Sequence, residues 1–401
     1  MKYFVKSFGC RLNQYYADYF CNAVLYSGHE LTGSLADAEV VAIASCVVTH
    51  RAERDLRRYV SHSKRTNPSA RVVVFGCYPK IKEPKGVIAS GEIGDVLKEL
   101  NLKDPIVLKQ PIYRIRANVR IQEGCNFRCS YCIVPMVRGL SRSRPLEEIM
   151  GEIENLVSSG TVEIVLTGIQ TGQWGREWGL MLSDLIIRIH NRFPHLRIRL
   201  SSISPIHITK EIIDLLKQRI ILPHLHLPLQ HGSSRILKLM KRPYKLQYYI
   251  DLVEKLHLAV PDIAIGSDII VGYPEETDID FEESLKVIES LPFAYLHIFE
   301  FSARPYTYAG TLKPLPQDVV KQRKWRLLEV ARDRKGRFLE NYIGRNVDAV
   351  IESLEGCFFH ATTDNYIKLL VAAKYDLTPG RVYRFEILKR EDYCLKARPL
   401  I

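Results

Sequence analysis

The sequence predicts an α/β protein with three parts: an N-terminal parallel, doubly wound βαβ domain (residues 1–110), a central partial (βα) barrel (111–337) and a small five-stranded C-terminal β-barrel (338–401). Three observations support this prediction. The chain of 401 residues has the length of two to three domains. Apolar strand-like runs alternate with amphipathic helical patterns as far as residue 335. Beyond that point, only short strand patterns separated by turn residues follow.

The composition is that of a globular protein. Hydrophobic residues make up 46% of the chain and charged residues 25%, which excludes a disordered chain or a short disulfide-stapled one. No apolar run reaches the length of a membrane span, and Met1–Gly9 lacks the apolar stretch of a signal peptide. We therefore expect a cytoplasmic protein that does not engage a membrane. In that reducing compartment, nine cysteines indicate metal binding or catalysis rather than disulfides.

Three strand-like runs of the N-terminal domain are each followed by a small residue and a cysteine. The runs are Tyr3–Phe8, Val40–Ala44 and Val72–Phe75, and helical patterns separate them at Tyr15–Ser27 and His50–Lys64. Parallel strands joined by helices end at one edge of a sheet, so the three cysteines are expected near one another. They are Cys10, Cys46 and Cys77. Two interpretations stay open: a three-cysteine cluster site, or three small core residues at strand ends.

Three further cysteines lie in one short loop. Cys125, Cys129 and Cys132 form a C-x3-C-x2-C pattern, and soft thiolates at this spacing suit an iron–sulfur cluster. A fourth cysteine is missing nearby, so one iron would stay open to another ligand. A zinc site is disfavoured because a fourth cysteine or histidine at a matching spacing is missing too. The remaining cysteines are interpreted as ordinary thiols: Cys21, Cys357 and Cys394.

The central part alternates between strands and helices. Its strands are predicted at Val162–Leu166, Arg197–Ser201, His224–Leu229, Ile263–Ile270 and Tyr295–Phe301. Its helices are predicted at Leu146–Ser158, Met181–His190, Tyr248–Ala259 and Phe281–Glu289. Such regular alternation favours a full or partial parallel barrel, in which the chemistry lies at the carboxyl ends of the strands. The cysteine loop follows the first strand of this unit.

The cysteine loop and several later motifs resemble a known family. The C-x3-C-x-Tyr-Cys pattern is similar to the signature of radical S-adenosylmethionine (SAM) enzymes. The longer stretch from Gly124 to Gly139, preceded by three spaced cysteines, resembles the methylthiotransferases. Similarity to that family continues at residues 166–170, 226–234, 241–244 and 268–277, and it covers essentially the whole chain.

This resemblance implies two [4Fe–4S] clusters and SAM as cofactors. The loop cysteines would hold the cluster whose open iron binds the amino and carboxylate groups of SAM, and an electron then releases a 5′-deoxyadenosyl radical. The N-terminal cysteines would hold an auxiliary cluster that carries or donates sulfur. One SAM would supply the methyl group and another the radical. An external electron donor and a sulfur donor are implied as partners.

The same resemblance implies a set of SAM-contacting residues at the ends of the central strands. They are Tyr131, Thr167, Gly168, Gln170, Ser202, Gln230, Asp268 and Gly272. Each has a local alternative, because the glycines could be ordinary turn residues and the polar residues could be caps or satisfied core groups. His224, His226 and His231 are interpreted as structural, since Pro223 and Pro228 interrupt them.

The resemblance is strongest to the branch that modifies threonylcarbamoyladenosine (t6A) beside the anticodon of tRNA. It is carried by Ser7–Gln14 and by Cys46–Glu53, and one departure is Tyr306, where a Gly is common. Two alternatives keep the chemistry but change the substrate, to isopentenyl-adenosine in tRNA or to a ribosomal-protein aspartate. A third alternative is an iron–sulfur protein that binds RNA or senses redox state without catalysis.

The positive charge favours tRNA, through its anticodon stem-loop, as the partner. The net charge is +12, yet residues 338–401 carry nine basic and nine acidic residues. The strands of this neutral barrel are predicted at Asn346–Glu352, Tyr366–Ala372, Arg381–Leu388 and Tyr393–Lys396. Basic residues cluster instead around the cysteines, although such runs are often only solvated faces. The candidate RNA contacts are Arg51, Arg54, Arg58, Arg142, Arg144, Lys368, Arg381 and Arg384.

Overall fold

The protein was analysed as a computed structural model that describes residues 1–84, 86–112 and 114–400. Its N-terminal part contains five parallel strands in the order β2-β1-β3-β4-β5. The elements are β1 (Lys2–Ser7), α1 (Arg11–Tyr26), β2 (Glu30–Leu31), β3 (Val40–Ser45), α2 (His50–Thr66), β4 (Arg71–Gly76), β5 (Ile88–Ser90) and α3 (Ile93–Glu99). The predicted β-α-β-α-β order is confirmed. The two edge strands were missed because two or three residues carry no usable pattern.

The central part begins after residue 116 and continues the alternation of strands and helices. Its first half contains β6 (Ala117–Arg120), β7 (Gln122–Glu123), α4 (Val134–Arg138), β8 (Arg142–Ser143), α5 (Leu146–Ser158), β9 (Glu163–Thr167), α6 (Leu182–Arg192) and β10 (Arg197–Leu200). Its second half contains α7 (Lys210–Lys217), β11 (His224–His226), α8 (Ser234–Leu239), α9 (Leu246–Ala259), β12 (Ala264–Val271), α10 (Asp278–Ser290), β13 (Tyr295–Glu300) and α11 (Gln317–Glu340).

Six parallel strands of this part form an arc. β6, β9 and β10 make one three-stranded sheet, and β11, β12 and β13 make a second. Isolated parallel bridges, Ile198 to Ile221 and Ser202 to His226, connect the two sheets. The helices cover the outer face, where alternate strand residues such as Ile164 and Leu200 are fully buried. All six carboxyl ends therefore point toward the same side of the arc.

The C-terminal part is a small β-barrel. It contains β14 (Asn346–Glu355), β15 (Phe358–Thr363), β16 (Lys368–Ala372), β17 (Val382–Glu391) and β18 (Cys394–Pro399), closed in the order β14-β15-β16-β18-β17. The sequence indicated five strands here but located only four, and β15 is the strand that was not located. Helix α11 runs through residue 338, so the predicted boundary at 337/338 falls inside a continuous helix.

Several contacts fix this barrel against the rest of the chain, among them those of Arg199 and Arg11. The buried guanidinium of Arg199 donates to the carbonyl oxygens of Asp364 (2.8 Å) and Thr363 (3.1 Å). Arg11 donates to the hydroxyl of Tyr366 (3.0 Å) in the same turn. In the part of the chain that the structure describes, we find no helix that is both long enough and apolar enough to span a bilayer.

Candidate active site

The register of the N-terminal sheet places Cys10, Cys46 and Cys77 at one edge. Ser7 pairs with Ala44 and Ser45 pairs with Gly76, so the three strands end level with one another. Cys10 is exposed, whereas the other two thiols are buried.

Two glycines let these strand ends approach closely. A Cβ atom on Gly9 (φ +94°) would lie 2.4 Å from the Cβ atom of Cys46. A Cβ atom on Gly76 (φ +98°) would lie 2.9 Å from the carbonyl oxygen of Ser45. A side chain at either position would push the strand ends apart, so both positions require glycine.

Burial makes Cys46 and Cys77, the two buried thiols of this trio, poor acids. It raises the pKa of Cys46 to about 12, and the neighbouring Cys10 and Cys77 raise it further. The pKa of Cys77 is also raised by burial, against the opposing effect of Arg138. Three thiolates become compatible with this environment once iron supplies positive charge, because coordination deprotonates a thiol. The donor set therefore fits a cluster.

Arg138 joins the two cysteine sites. It ends α4, six residues after Cys132, and its Nε donates to the Sγ of Cys77 (3.0 Å). Its other nitrogens donate to Glu123 Oε1 (2.7 Å) and Asn13 Oδ1 (2.8 Å). Burial disfavours its charge, yet the attraction of Cys77 and Glu123 outweighs burial and raises the pKa of Arg138. Hydrogen bonds of this kind to ligand sulfur tune iron–sulfur clusters.

The second trio occupies the loop between β7 and α4. Cys125 and Cys129 are buried and Cys132 is half-buried. The amide of Phe127 donates to the Sγ of Cys125 (3.3 Å), and the half-buried guanidinium of Arg242 donates to the Sγ of Cys129 (3.3 Å). Burial raises the pKa of Cys132 to about 12. This loop therefore combines a cation and buried thiols in the same way as the N-terminal edge.

The spacing of the sulfurs does not match that around a single metal ion. Among the residues described, neither trio has all three Sγ atoms within 4.8 Å of one another. A zinc ion with Zn–S bonds of about 2.3 Å would hold its sulfurs about 3.8 Å apart. The sulfurs of neither trio are therefore arranged as a single zinc ion would hold them.

Several residues expected near SAM lie around the loop trio. Thr167 ends β9, and a Cβ atom on Gly168 would lie 2.8 Å from the carbonyl oxygen of Gln122, so backbone passes close to backbone here. The amide of Gln170 donates to Gln122 Oε1 (2.6 Å), and its own buried Oε1 has no hydrogen-bond partner. An unpartnered buried oxygen beside Cys125 is what a site for a polar cofactor requires. The hydroxyl of Tyr131 accepts from Arg242 (3.3 Å).

The other expected SAM contacts line the second sheet of the arc. Ser202 bridges to His226 at the junction of the two sheets, and Gln230 (φ +75°) bridges to Ile269. The amide of Gly272 donates to Glu276 Oε2 (2.5 Å). These residues share the carboxyl-end side of the arc with the cysteine loop.

Asp268 lies between two histidines inside the arc. Its Oδ1 is 3.0 Å from Nε2 of His226 and 3.2 Å from Nδ1 of His297. Burial alone would raise the pKa of Asp268, but these histidines outweigh burial and lower it. In the described ranges, this is the one group of three metal-ligating side chains with donor atoms within 4.8 Å of one another. The other ring nitrogen of His226 bonds the hydroxyl of Tyr295 (3.1 Å), as expected of a structural histidine.

The candidate RNA contacts separate into exposed and buried groups. Arg51, Arg54 and Arg58 are exposed on α2, which begins four residues after Cys46, and Arg142 is exposed beside the cysteine loop. Arg144 is buried and pairs with two carboxylates, so it does not belong to the exposed basic surface. On the C-terminal barrel, the structure exposes Arg381 and Arg384, and Lys368 pairs with a carboxylate and is half-exposed.

Sequence reasoning missed four residues that surround the two trios: Asn13, Glu123, Arg138 and Arg242. All of them lie within stretches that were singled out, Ser7–Gln14, Glu123–Gly139 and Lys241–Tyr244, and that position was the available signal. Their role depends on contacts across up to 125 residues, as between Asn13 and Arg138, which a local pattern does not encode.

Two family models match the chain. Residues 119–288 match the radical SAM superfamily, and residues 2–96 match a family described as uncharacterized protein family UPF0004. The first contains the loop trio and the arc as far as α10, and the second contains the N-terminal trio.

Curated relatives match over nearly the full length. The threonylcarbamoyladenosine tRNA methylthiotransferase MtaB of Aquifex aeolicus is 33% identical over 398 residues, covering 92% of this chain and 96% of the relative. The protein of the same name from Bacillus subtilis is 32% identical, covering 95% and 92%. The chain belongs to the threonylcarbamoyladenosine tRNA methylthiotransferase family. A related protein of Bacillus velezensis, named tRNA-2-methylthio-N(6)-dimethylallyladenosine synthase, is 30% identical over 88% of this chain and 76% of its own.

Solved structures agree with the fold of this methylthiotransferase. The radical SAM methyltransferase TsrM of Kitasatospora setae superposes with a TM-score of 0.52 at 14% identity, covering 77% of each chain. The radical SAM enzyme OxsB gives a TM-score of 0.51 at 11% identity, covering 85% of this chain and 56% of its own. At these identities, the likeness concerns the fold alone.

Proposed function

We propose that this chain adds a methylthio group to C2 of N6-threonylcarbamoyladenosine, beside the anticodon of tRNA, by radical SAM chemistry. The observation that carries this proposal is the joining of two cysteine trios. Arg138 follows the loop trio and donates directly to Cys77 of the N-terminal trio (3.0 Å). An enzyme that forms a new carbon–sulfur bond needs a radical source and a sulfur source next to each other, and this contact brings the two candidate sites together.

We assign the radical chemistry to residues 111–337. Cys125, Cys129 and Cys132 are the proposed ligands of a [4Fe–4S] cluster, which together with SAM supplies an electron, a hydrogen-abstracting carbon radical and a methyl group. Gly168 allows close approach of the backbone, and the free Oε1 of Gln170 accepts a hydrogen bond from the cofactor. The other proposed SAM contacts are Tyr131, Thr167, Ser202, Gln230, Asp268 and Gly272. An external electron donor completes this half of the reaction.

We assign the sulfur chemistry to residues 1–110. Cys10, Cys46 and Cys77 are the proposed ligands of a second [4Fe–4S] cluster. Three protein ligands leave one iron position for a sulfur donor, and the exposure of Cys10 gives that donor access from solvent. Arg138 offsets the negative charge of the thiolates from the buried side.

The RNA is proposed to bind across the basic face around both trios. Arg51, Arg54 and Arg58 project from α2 and Arg142 from the cysteine loop, whereas the barrel of residues 338–401 has no net charge. Phosphates are held mainly by lysine and arginine, so the anticodon stem-loop is expected at this face. Arg381 and Arg384 are exposed on the barrel and are proposed as secondary contacts for the rest of the tRNA. A tRNA substrate also implies a cytoplasmic location.

The proposal is tested by anaerobic reconstitution followed by mass spectrometry of tRNA nucleosides. The reconstituted protein, with SAM and a reductant, is expected to convert t6A in tRNA to its 2-methylthio form. Cys10→Ala should halve the bound iron and abolish methylthiolation while reductive SAM cleavage continues. Cys357→Ala, which changes an exposed cysteine in the C-terminal barrel, is the matched control and should behave as wild type.

The identity of the modified nucleoside separates the remaining substrates. The dimethylallyladenosine enzymes are also relatives of this chain, at 30% identity. Formation of the 2-methylthio form of isopentenyl-adenosine, with t6A unchanged, would assign the chain to that reaction instead. Unchanged tRNA together with a modified ribosomal protein would overturn an RNA substrate altogether.

A further inference from the structure

We propose that Tyr306 is a stacking platform for an RNA base next to the reacting adenosine. This inference rests on the proposed function, because it requires an RNA substrate. It comes from a loop, residues 302–311 between β13 and α11, that contacts both cysteine sites and displays a large aromatic side chain in an unfavourable backbone conformation. We call this segment the bridging loop.

One end of the bridging loop is fixed to the loop trio. The amide of Ala309 donates to the carbonyl oxygen of Ser130 (2.8 Å), and Ser130 lies between Cys129 and Tyr131. Ser130 is itself buried and donates to or accepts from the hydroxyl of Tyr273 (2.9 Å). The bridging loop therefore keeps a defined position relative to the loop trio.

Its other end is fixed to the N-terminal domain. The amide of His50 donates to Ser302 Oγ (3.0 Å). The buried guanidinium of Arg304 pairs with Glu53 and lies 3.2 Å from Nδ1 of His50, on the first turn of α2. Because α2 begins four residues after Cys46, the bridging loop contacts segments that adjoin a cysteine of each trio.

The backbone of the bridging loop is locked by its own contacts. Thr307 Oγ1 donates to the carbonyl oxygen of Arg304 (2.8 Å), and the amide of Gly310 donates to Thr307 Oγ1 (3.2 Å). A Cβ atom on Gly310 would lie 2.2 Å from that same carbonyl. These contacts fix the backbone of the turn, so its conformation does not depend on the side chain at position 306.

Tyr306 occupies a position that favours glycine. Its φ is +63°, in the left-handed region that side chains with a Cβ atom rarely adopt, and 73% of the residue is exposed. Packing does not compensate for this conformation, because the ring lies mostly in solvent. Such strain does not by itself identify a binding position, so the assignment depends on what surrounds the ring.

The surroundings of Tyr306 favour an RNA base as its ligand. Tyr308, 59% exposed, lies in the same loop, and the exposed Lys241 has its Nζ 5.8 Å from the centre of that ring. Arg51 and Arg54 lie on the first turns of α2 beside Arg304. Exposed aromatic rings flanked by cations stack unpaired bases while the cations hold the phosphates, whereas a protein loop would not need this concentration of positive charge.

The test uses an anticodon stem-loop that contains t6A and carries 2-aminopurine at one of the two flanking nucleotides in turn. Wild-type protein, reconstituted with its clusters, is expected to change the 2-aminopurine emission at one flank on binding. Tyr306→Gly should abolish this change and raise the Kd of the RNA roughly 5- to 100-fold. Tyr306→Phe keeps the ring and should retain both properties. In turnover, Tyr306→Gly should raise KM while kcat is largely kept.

Ile106→Gly is the matched control. Ile106 has the same backbone region (φ +65°) and the same exposure (73%) but lies in the connector that packs on the far end of α1 from Cys10. This change relieves the same strain and should leave the emission change and Kd as in wild type. Lys241→Gln should instead lower the salt dependence of binding by about one unit of slope and keep the emission change.

Several results would overturn the platform. They are an unchanged Kd and emission change in Tyr306→Gly, an equal loss in Ile106→Gly, or weakened binding of a ribosomal protein in place of RNA. Because Tyr306 is exposed, the variant should fold, and an unchanged thermal unfolding midpoint checks this. If wild type methylthiolates t6A while Tyr306→Gly binds normally, the platform is wrong and the proposed function stands. If wild type leaves t6A unchanged, the proposed function is wrong.

Discussion

The two cysteine trios have similar surroundings, but their cysteines are brought together in different ways. The loop trio lies within eight consecutive residues, whereas the N-terminal trio is spread from Cys10 to Cys77 and meets only because three strands end level with one another. Each has a thiol whose pKa burial raises to about 12, in Cys46 and in Cys132, and each has an arginine that donates to one sulfur. The difference is that the first site depends on local sequence and the second on tertiary structure.

The largest effect is expected from adding one methyl group at the N-terminal site, which should inactivate that site and leave the loop trio intact. Gly9→Ala would place a Cβ atom 2.7 Å from the Sγ of Cys46, in a backbone conformation (φ +94°) that alanine disfavours. We expect the iron content to fall by half and methylthiolation to disappear while SAM cleavage continues. Iron analysis and SAM-cleavage assays measure this. Gly33→Ala, where a Cβ atom meets nothing within 4 Å, should behave as wild type; loss of SAM cleavage in Gly9→Ala would show that the sites are not separable.

The arginine shared by the two sites provides the next test. Arg138→Met leaves the buried Glu123 without its 2.7 Å partner and should lower the free energy of unfolding by about 3 kcal/mol. Arg142→Met is the control, because Arg142 is exposed and lies 3.7 Å from the same carboxylate, so its loss should change stability by less than about 1 kcal/mol. Urea unfolding of the apo proteins measures both. Equal losses would contradict the view that burial makes Arg138 the more important partner.

A third test concerns the tyrosine that connects the N-terminal site to the C-terminal barrel. Burial would raise the pKa of Tyr366, but Arg11, Arg116, Lys368 and Arg199 outweigh burial and lower it to about 8. The phenolate is therefore favoured in the folded state, and its contribution is present above the ordinary pKa near 10 and lost as pH falls through 8. The free energy of unfolding should therefore rise by about 2–3 kcal/mol from pH 8 to pH 10 because of this group.

Tyr366→Phe should remove this pH dependence. Phenolate absorbance in the ultraviolet should lose one group that titrates near pH 8, and the stability gained from pH 8 to 10 should shrink. Tyr375→Phe, on the same barrel, is the comparison variant and should preserve both. A titration unchanged in Tyr366→Phe would contradict the assignment.

The smallest expected effect is at the loop trio. Arg242→Gln removes the guanidinium that donates to Cys129 (3.3 Å) and should weaken iron binding at this site roughly 10- to 100-fold, with the N-terminal site unaffected. Competition with an iron chelator, followed by the rate of SAM cleavage, measures it. Lys238→Gln, an exposed lysine on the neighbouring helix α8, should retain iron like wild type. Equal iron loss from both sites would mean that Arg242 acts on the whole fold.

The sequence predicted those parts of the molecule that depend on neighbouring residues. Helix α5 was located at its observed ends, Leu146–Ser158, because its apolar spacing is regular, and the α/β class and family are confirmed. The short strands β2 and β5 were missed, as was α11, whose polar sequence was interpreted only as a run of charge. Arg138 was missed as a partner of the thiols since its contact with Cys77 spans 61 residues. Arg144 was taken for a surface charge because a sequence does not show which arginine is buried.

The contact between Arg138 and Cys77 also has a consequence for the order of synthesis. The ribosome completes the N-terminal strands first, and 61 residues separate the Cys77 thiol from the guanidinium that bonds it. At 5–20 residues per second, this interval lasts about 3–12 s. During that time the nascent sheet presents the Cys77 thiol without the guanidinium that lowers its pKa, so the N-terminal site acquires its final electrostatic surroundings only after residue 138 has been added.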